Sequence, residues 1–139
     1  MIQQEKHYAA LAPIMALTGV FAHPAASTVL PLILFFIFRW RNMEFAKLVA
    51  LRAADLAFSV QLYLVIASAL LAAFLFFYPL TDQQAHGIFT NITLIAVVYL
   101  VVSLLAAAIQ TLRGITFEYI LSLKIAERVL RRFNPLTNL

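Results

Sequence analysis

The chain contains no cysteine and only three glycines in 139 residues. Without thiols it forms no disulfide and performs no thiol chemistry. Three scattered glycines also exclude the Gly-rich loops that cradle phosphate groups. Charged residues are scarce as well, at 12%, about half of the roughly 25% that soluble domains carry. These shortages exclude a disulfide scaffold and a phosphate-loop nucleotide site.

Apolar residues are correspondingly abundant, at 64% of the chain, with a mean hydropathy of +0.94. Soluble domains contain about 45–50% apolar residues. A soluble domain near this size buries only about 68–70% of its unfolded surface, so the excess must face another apolar phase. The composition therefore predicts a single integral membrane domain in a lipid bilayer.

Two segments are long enough to cross that bilayer. Residues 56–79 and 87–109 contain no charged residue, and at about 1.5 Å per residue each exceeds a hydrocarbon core of about 30 Å. Residues 80–86 lie between Pro79 and Gly87 and predict a short turn. The pattern indicates a transmembrane helical hairpin, with the second span extending over 87–112.

The first third of the chain, residues 7–41, is apolar but interrupted by proline and glycine. We expect two short helices over 8–22 and 24–40, with Pro24 in the first turn of the second helix and a kink at Pro31. Both are short for a full span, so this hairpin either crosses a thinned bilayer or dips in and returns. The predicted fold is an all-α four-helix membrane bundle of two short, kinked and two long helices.

The basic residues predict the orientation. Nine of the ten Lys and Arg residues flank the long hairpin on one side, whereas the only charged residue of the 80–86 turn is Asp82. By the positive-inside rule both termini are then cytoplasmic. We expect six basic side chains to face anionic headgroups: Arg39, Arg41, Lys124, Arg128, Arg131 and Arg132.

Two amphipathic stretches adjoin the long hairpin. Residues 42–55 predict an interfacial helix that runs into the first span, and residues 113–133 a cytoplasmic amphipathic helix before a tail at 134–139. Such helices lie in the interface with basic residues toward the headgroups. Docking to a partner protein is an equal alternative for the second stretch.

No catalytic, metal or cofactor site is indicated. His7, His23 and His86 are scattered at predicted turns or boundaries, without the spacing of metal ligands. No serine and histidine pair in an elbow-like motif. The pattern predicts a protein that is not an enzyme, needs no cofactor and binds no nucleic acid.

Asp55 is the most informative acid, because it lies at the membrane edge of a long helix. Its level matches Arg113 on the other span, which predicts an ion pair across the two helices. The alternative is a contact with Arg52, one turn away. Among the polar residues of the spans, we favour Gln61 and Ser103 as hydrogen-bonding helix contacts. The alternative is that these polar side chains line a polar path through the membrane.

Three stretches resemble an uncharacterised bacterial family of small membrane proteins, related to a channel component of the chloroplast inner-envelope import (Tic) machinery. They are PLILFFIFRWR at 31–41, EFAKLVALRAADLAFSVQLYL at 44–64 and AAAIQTLRGITFEYILSLKI at 106–125. The chain departs from the family pattern at Tyr119-Ile120 and at Ala57. The resemblance implies a four-helix fold in a bacterial inner membrane and, more remotely, a role near protein translocation.

We therefore expect a non-enzymatic accessory or scaffold subunit that self-associates or joins a larger membrane complex. The alternative is a pore or protein-translocation component, as the resemblance suggests.

Overall fold

A computed structural model describes residues 3–23, 25–119 and 122–133, apart from the side chains of Ala126 and Phe133. In this part of the chain all regular structure is α-helical. The helices are α1 (Gln3–Ala22), α2 (Ala26–Trp40), α3 (Glu44–Phe77), α4 (Asp82–Leu112) and α5 (Ile125–Phe133). Pro24 and the tail at 134–139 lie outside the described residues.

Two helices are long and apolar enough to cross a membrane, α3 with 34 residues and α4 with 31. At about 1.5 Å per residue they measure about 50 and 46 Å. Residues 44–55 form the beginning of α3 itself, so the first amphipathic stretch and the first span are one continuous helix. The two long apolar helices expected from the sequence are therefore present.

The short helices α1 and α2 pack on only part of this hairpin. The buried residues of α3 lie between Ala46 and Val60, and those of α4 between Leu100 and Thr111. No residue from Gln61 to Tyr99 is buried. The molecule thus has an inner half of four packed helices and an outer half in which α3 and α4 extend past α1 and α2, which touch only its beginning. We call the part at 61–99 the outer hairpin.

Small side chains allow close packing in the inner half. One core cluster joins Ala9 and Ala12 of α1 to Ala46 and Ala50 of α3, with Phe35 of α2 filling the remaining space. Small residues at helix interfaces let backbones approach closely. Most of residues 46–55 are therefore covered by protein, whereas Glu44 is exposed. The interfacial position of residues 42–55 stays a prediction.

The turn of the long hairpin is shorter than residues 80–86. Thr81 is the N-cap of α4: its side chain accepts a hydrogen bond from the Gln84 backbone, and the Gln84 side chain accepts one from the Thr81 backbone. This reciprocal capping box begins the helix at Asp82. Residues 83–86 are consequently helical.

The predicted helix over 113–133 is likewise shorter in the structure. Gly114 adopts φ +82, and the N–H groups of Gly114 and Ile115 donate to the carbonyls of Thr111 and Gln110. These two bonds form a Schellman motif that ends α4. Residues 115–119 and 122–124 form no helix, and α5 begins at Ile125.

Candidate functional site

Most of the buried polar residues in the described part of the chain lie at the end of the molecule where α3 begins and α4 ends; Ser27, beside Gln61, is the exception. Arg52, Asp55 and Ser59 lie three and four residues apart on α3 and therefore share one face. Asp55 is 2% exposed and Ser59 is fully buried, because the segment from Gly114 into α5 folds back over them. We call these three residues, with Glu118 and Glu127, the basal cluster.

Asp55 caps a helix that is distant in sequence. Its Oδ2 accepts a hydrogen bond from the backbone N–H of Glu127, at 3.1 Å, in the first turn of α5. A carboxylate at this position satisfies an orphan N–H and complements the helix dipole.

The hydrogen bond from the Glu127 backbone takes the place of the ion pair that was expected between Asp55 and Arg113 or Arg52. Arg113 is exposed at the C-cap of α4, and among the described residues neither Arg113 nor Arg52 forms a salt bridge with Asp55. The reason is the chain reversal at Gly114, which brings the N-terminus of α5 to the carboxylate.

Ser59 fixes the segment that precedes α5. Its hydroxyl donates to the Asp55 carbonyl at 2.7 Å and accepts from the backbone N–H of Leu123 at 2.9 Å. One serine thus joins two backbone segments that are 64 residues apart. Together with the Asp55 cap, this contact holds the C-terminal segment against α3.

Glu118 lies between two basic side chains. Its Oε1 is 3.3 Å from Nη2 of Arg52 and 3.7 Å from Nζ of Lys124. Glu118 is mostly exposed, so each pair contributes little to stability. Nε and Nη1 of Arg52 are buried and have no hydrogen-bond partner among the described residues.

Burial also affects Tyr119, the residue that follows Glu118. Desolvation raises the pKa of the Tyr119 phenol above its ordinary value, and the positive charge of Arg52 offsets this only in part. The phenol is therefore neutral at physiological pH.

Glu5 provides a second long-range cap, which sequence reasoning did not identify. Its Oε1 accepts from the backbone N–H groups of Phe45 and Ala46 at 3.0 and 3.4 Å, at the start of α3. The contact places the beginning of α1 beside the beginning of α3. No local sequence signal points to it, because the two partners are 40 residues apart.

Gln61 makes the kind of helix contact that was expected of it. Its Nε2 donates to the hydroxyls of Ser27 and Thr28, both at 3.1 Å, and so joins α3 to α2. Ser103 is half-buried on α4. The structure thus brings Gln61, but not Arg113, into a contact between helices.

The six predicted headgroup-facing residues occupy different settings. Arg39 and Arg41 are exposed at the end of α2, and Arg128 and Arg132 are exposed on α5. Lys124 approaches Glu118, whereas Arg131 pairs with Glu127 at 2.8 Å.

Two apolar hollows adjoin the long helices. A cavity of about 260 Å³ opens between α3 and α4 and is lined by Tyr63, Ala67, Ala96 and Tyr99, among others. A second, of about 220 Å³, lies between α2, α3 and α5. Among the described residues no group of His, Asp or Glu has the arrangement of a metal site.

Comparison with models of known protein families, with curated proteins and with solved structures finds no match. The resemblance to the import-channel relatives therefore stays a prediction.

Proposed function

We propose that this protein is an integral membrane protein that acts without catalysis, as an accessory or scaffold subunit of a membrane assembly. The outer hairpin supports the proposal. Apart from Asp82 it contains no charged residue, most of its side chains are apolar, and no residue in it is buried. Soluble monomers rarely expose contiguous apolar patches above a few hundred Å², so a lipid phase or a partner must cover it.

The distribution of charge supports a common cytoplasmic side for both ends of the chain. All ten Lys and Arg residues lie outside residues 61–99. The Glu5 contact puts the beginning of α1 beside the start of α3, and the fold-back of α5 puts Glu127 beside Asp55, also in the part of α3 before the outer hairpin. The positive-inside rule then orients this end toward the cytoplasm and Thr81 toward the other side.

The α1–α2 hairpin supports a re-entrant arrangement over a full crossing. The contacts of Ser27 and Thr28 with Gln61 place the tip of this hairpin near the beginning of the outer hairpin. Along α3, about 25 Å of apolar helix continues beyond Gln61. We infer that α1 and α2 enter from the cytoplasmic side and return. Ser27, just after the turn, is buried, whereas Phe21, Ala22, His23 and Ala25 at the tip are exposed. A turn inside the bilayer requires protein cover, which a partner subunit would then supply.

Assembly is favoured by the weak packing of the outer hairpin. An open apolar cavity separates α3 from α4 between Tyr63 and Tyr99. Helix pairs in membranes gain stability from close packing, which this pair lacks on its own. The engagement of Gln61 in helix contacts weighs against the alternative of a pore.

Native mass spectrometry after mild detergent extraction, combined with ion flux into liposomes, tests the proposal. We expect species of defined stoichiometry larger than one chain, and liposomes that stay silent. A strictly monomeric protein that conducts ions would overturn the scaffold function and favour the pore.

A further inference from the structure

The hollow between α2, α3 and α5, which we call the α5 groove, joins an apolar wall to a basic rim. Leu32 of α2, Phe58 of α3, and Ile125 and Val129 of α5 form most of its wall. Phe58 and Val129 are 41% and 46% exposed. The groove is thus open on the outside of the molecule, at the level where the uncharged part of α3 begins.

Two arginines lie beside this wall. Arg128 and Arg132 are one helical turn apart, and at about 100° per residue they fall on the face adjacent to Ile125. Both are exposed, and within the described ranges neither forms an ion pair. The third arginine of α5, Arg131, is instead held by Glu127. The rim therefore presents two uncompensated positive charges.

Asp55 also borders the groove, but its carboxylate does not oppose an anion there. It is 2% exposed and its Oδ2 accepts the Glu127 N–H. The N-terminal dipole of α5 partly neutralises that charge.

We propose that the α5 groove binds one anionic phospholipid, with an acyl chain against Leu32, Phe58 and Val129 and the phosphate between Arg128 and Arg132. The charge complementarity of the rim selects the anionic headgroup, and the apolar wall selects a lipid over a free phosphate. The proposal rests on the membrane location proposed above. It adds a binding site to a segment that otherwise lies at the interface as an ordinary amphipathic helix.

Quenching by brominated lipids tests the site, because the chain contains a single tryptophan, Trp40. In a Trp40→Phe background, Phe58→Trp places the only tryptophan in the groove wall. The protein is reconstituted in phosphatidylcholine vesicles with the same small mole fraction of dibrominated phosphatidylglycerol or dibrominated phosphatidylcholine. We expect phosphatidylglycerol to quench the fluorescence of this Phe58→Trp variant more strongly.

The preference of the groove for phosphatidylglycerol over phosphatidylcholine should depend on the two arginines of its rim. An arginine near an anionic surface contributes about fivefold to binding, so Arg128→Gln with Arg132→Gln should lower the preference about 25-fold. The matched control, Arg39→Gln with Arg41→Gln, removes the same charge from the end of α2 and should leave the excess quenching at position 58. Raising the salt concentration on the unmutated rim should reduce the preference as well. This measurement needs no arginine variant to fold.

A second tryptophan position separates failure of the site from failure of membrane insertion. Leu70→Trp, on the exposed surface of α3, should be quenched equally by both brominated lipids. If each variant, Phe58→Trp and Leu70→Trp, shows no preference between the two lipids, the lipid site is overturned and the membrane location stands. Quenching at position 70 without any at position 58 would show the groove closed by protein and also overturn the site. No quenching at either position would overturn the membrane location itself.

Discussion

Single residues at close approaches decide whether the short helices fit together. A Cβ on Gly19 would lie 2.6 Å from the backbone nitrogen of Ser27 and 2.7 Å from the carbonyl carbon of Ala26. Backbone atoms cannot rotate away as a side chain does, so α1 would have to separate from α2. By contrast, a Cβ on Gly87 meets nothing within 4 Å.

The two glycines therefore predict opposite effects. Gly19→Ala should lower the free energy of unfolding by about 1–3 kcal/mol, the usual cost of overpacking. Gly87→Ala should raise it by up to about 1 kcal/mol, because alanine is the better helix former. Unfolding in mixed detergent, followed by circular dichroism, measures both. A Gly19→Ala variant as stable as the parent would contradict the close approach.

Substitution of Asp55 should destabilise α5 locally rather than unfold the whole protein. Asp55→Ala removes the acceptor for the Glu127 N–H and should destabilise α5 by about 0.5–2 kcal/mol, as loss of a helix cap does. Asp55→Asn keeps an acceptor oxygen and should cost less. Amide hydrogen exchange over 122–133 reports the difference, with the exposed Asp82→Ala as the control. Unchanged protection in Asp55→Ala would exclude a capping role.

At the scale of helices, α2 is attached to α3 partly through one amide. Gln61→Leu removes hydrogen bonds to Ser27 and Thr28. Interhelical hydrogen bonds in membranes average about 0.6 kcal/mol, so the expected loss is about 1 kcal/mol. Asn91→Leu, on the exposed surface of α4, should cost nothing in lipid. Equal stabilities for the two variants, measured by unfolding in detergent, would argue against the contact.

The helix boundaries show how much of the fold local sequence patterns predict. The short helices were expected at 8–22 and 24–40, and the structure has Gln3–Ala22 and Ala26–Trp40. The Thr81–Gln84 capping box is visible in the sequence, so the start of α4 at Asp82 was predictable. So was its end, since Gly114 supplies the left-handed residue that a Schellman motif favours.

The caps by Glu5 and Asp55 were not predictable in this way. Each joins residues 40 or more positions apart, and no periodicity within one helix encodes such a pair. The Asp55–Arg113 pairing assumed two spans aligned on a fixed turn. It did not allow for a chain that reverses after α4 and covers the same face of α3.

At the scale of the whole molecule, the depth of the α1–α2 hairpin distinguishes dipping from crossing. The chain has no native cysteine, so a single introduced cysteine is labelled without background. In intact cells, Gln83→Cys at the outer tip should react with an impermeant maleimide. His23→Cys at the tip of the α1–α2 hairpin should not. Equal outside labelling of both would establish a full crossing.

The sequence alone determined the helical class, the two long apolar helices and the absence of Lys and Arg from residues 61–99, because hydropathy, helix length and basic flanks are properties of contiguous residues. Only the tertiary structure decided that α1 and α2 cover half of the hairpin, and that the C-terminal segment returns to Asp55 and Ser59. Those features depend on the close approach of small residues and on caps between distant segments. Both arise only when the helices pack.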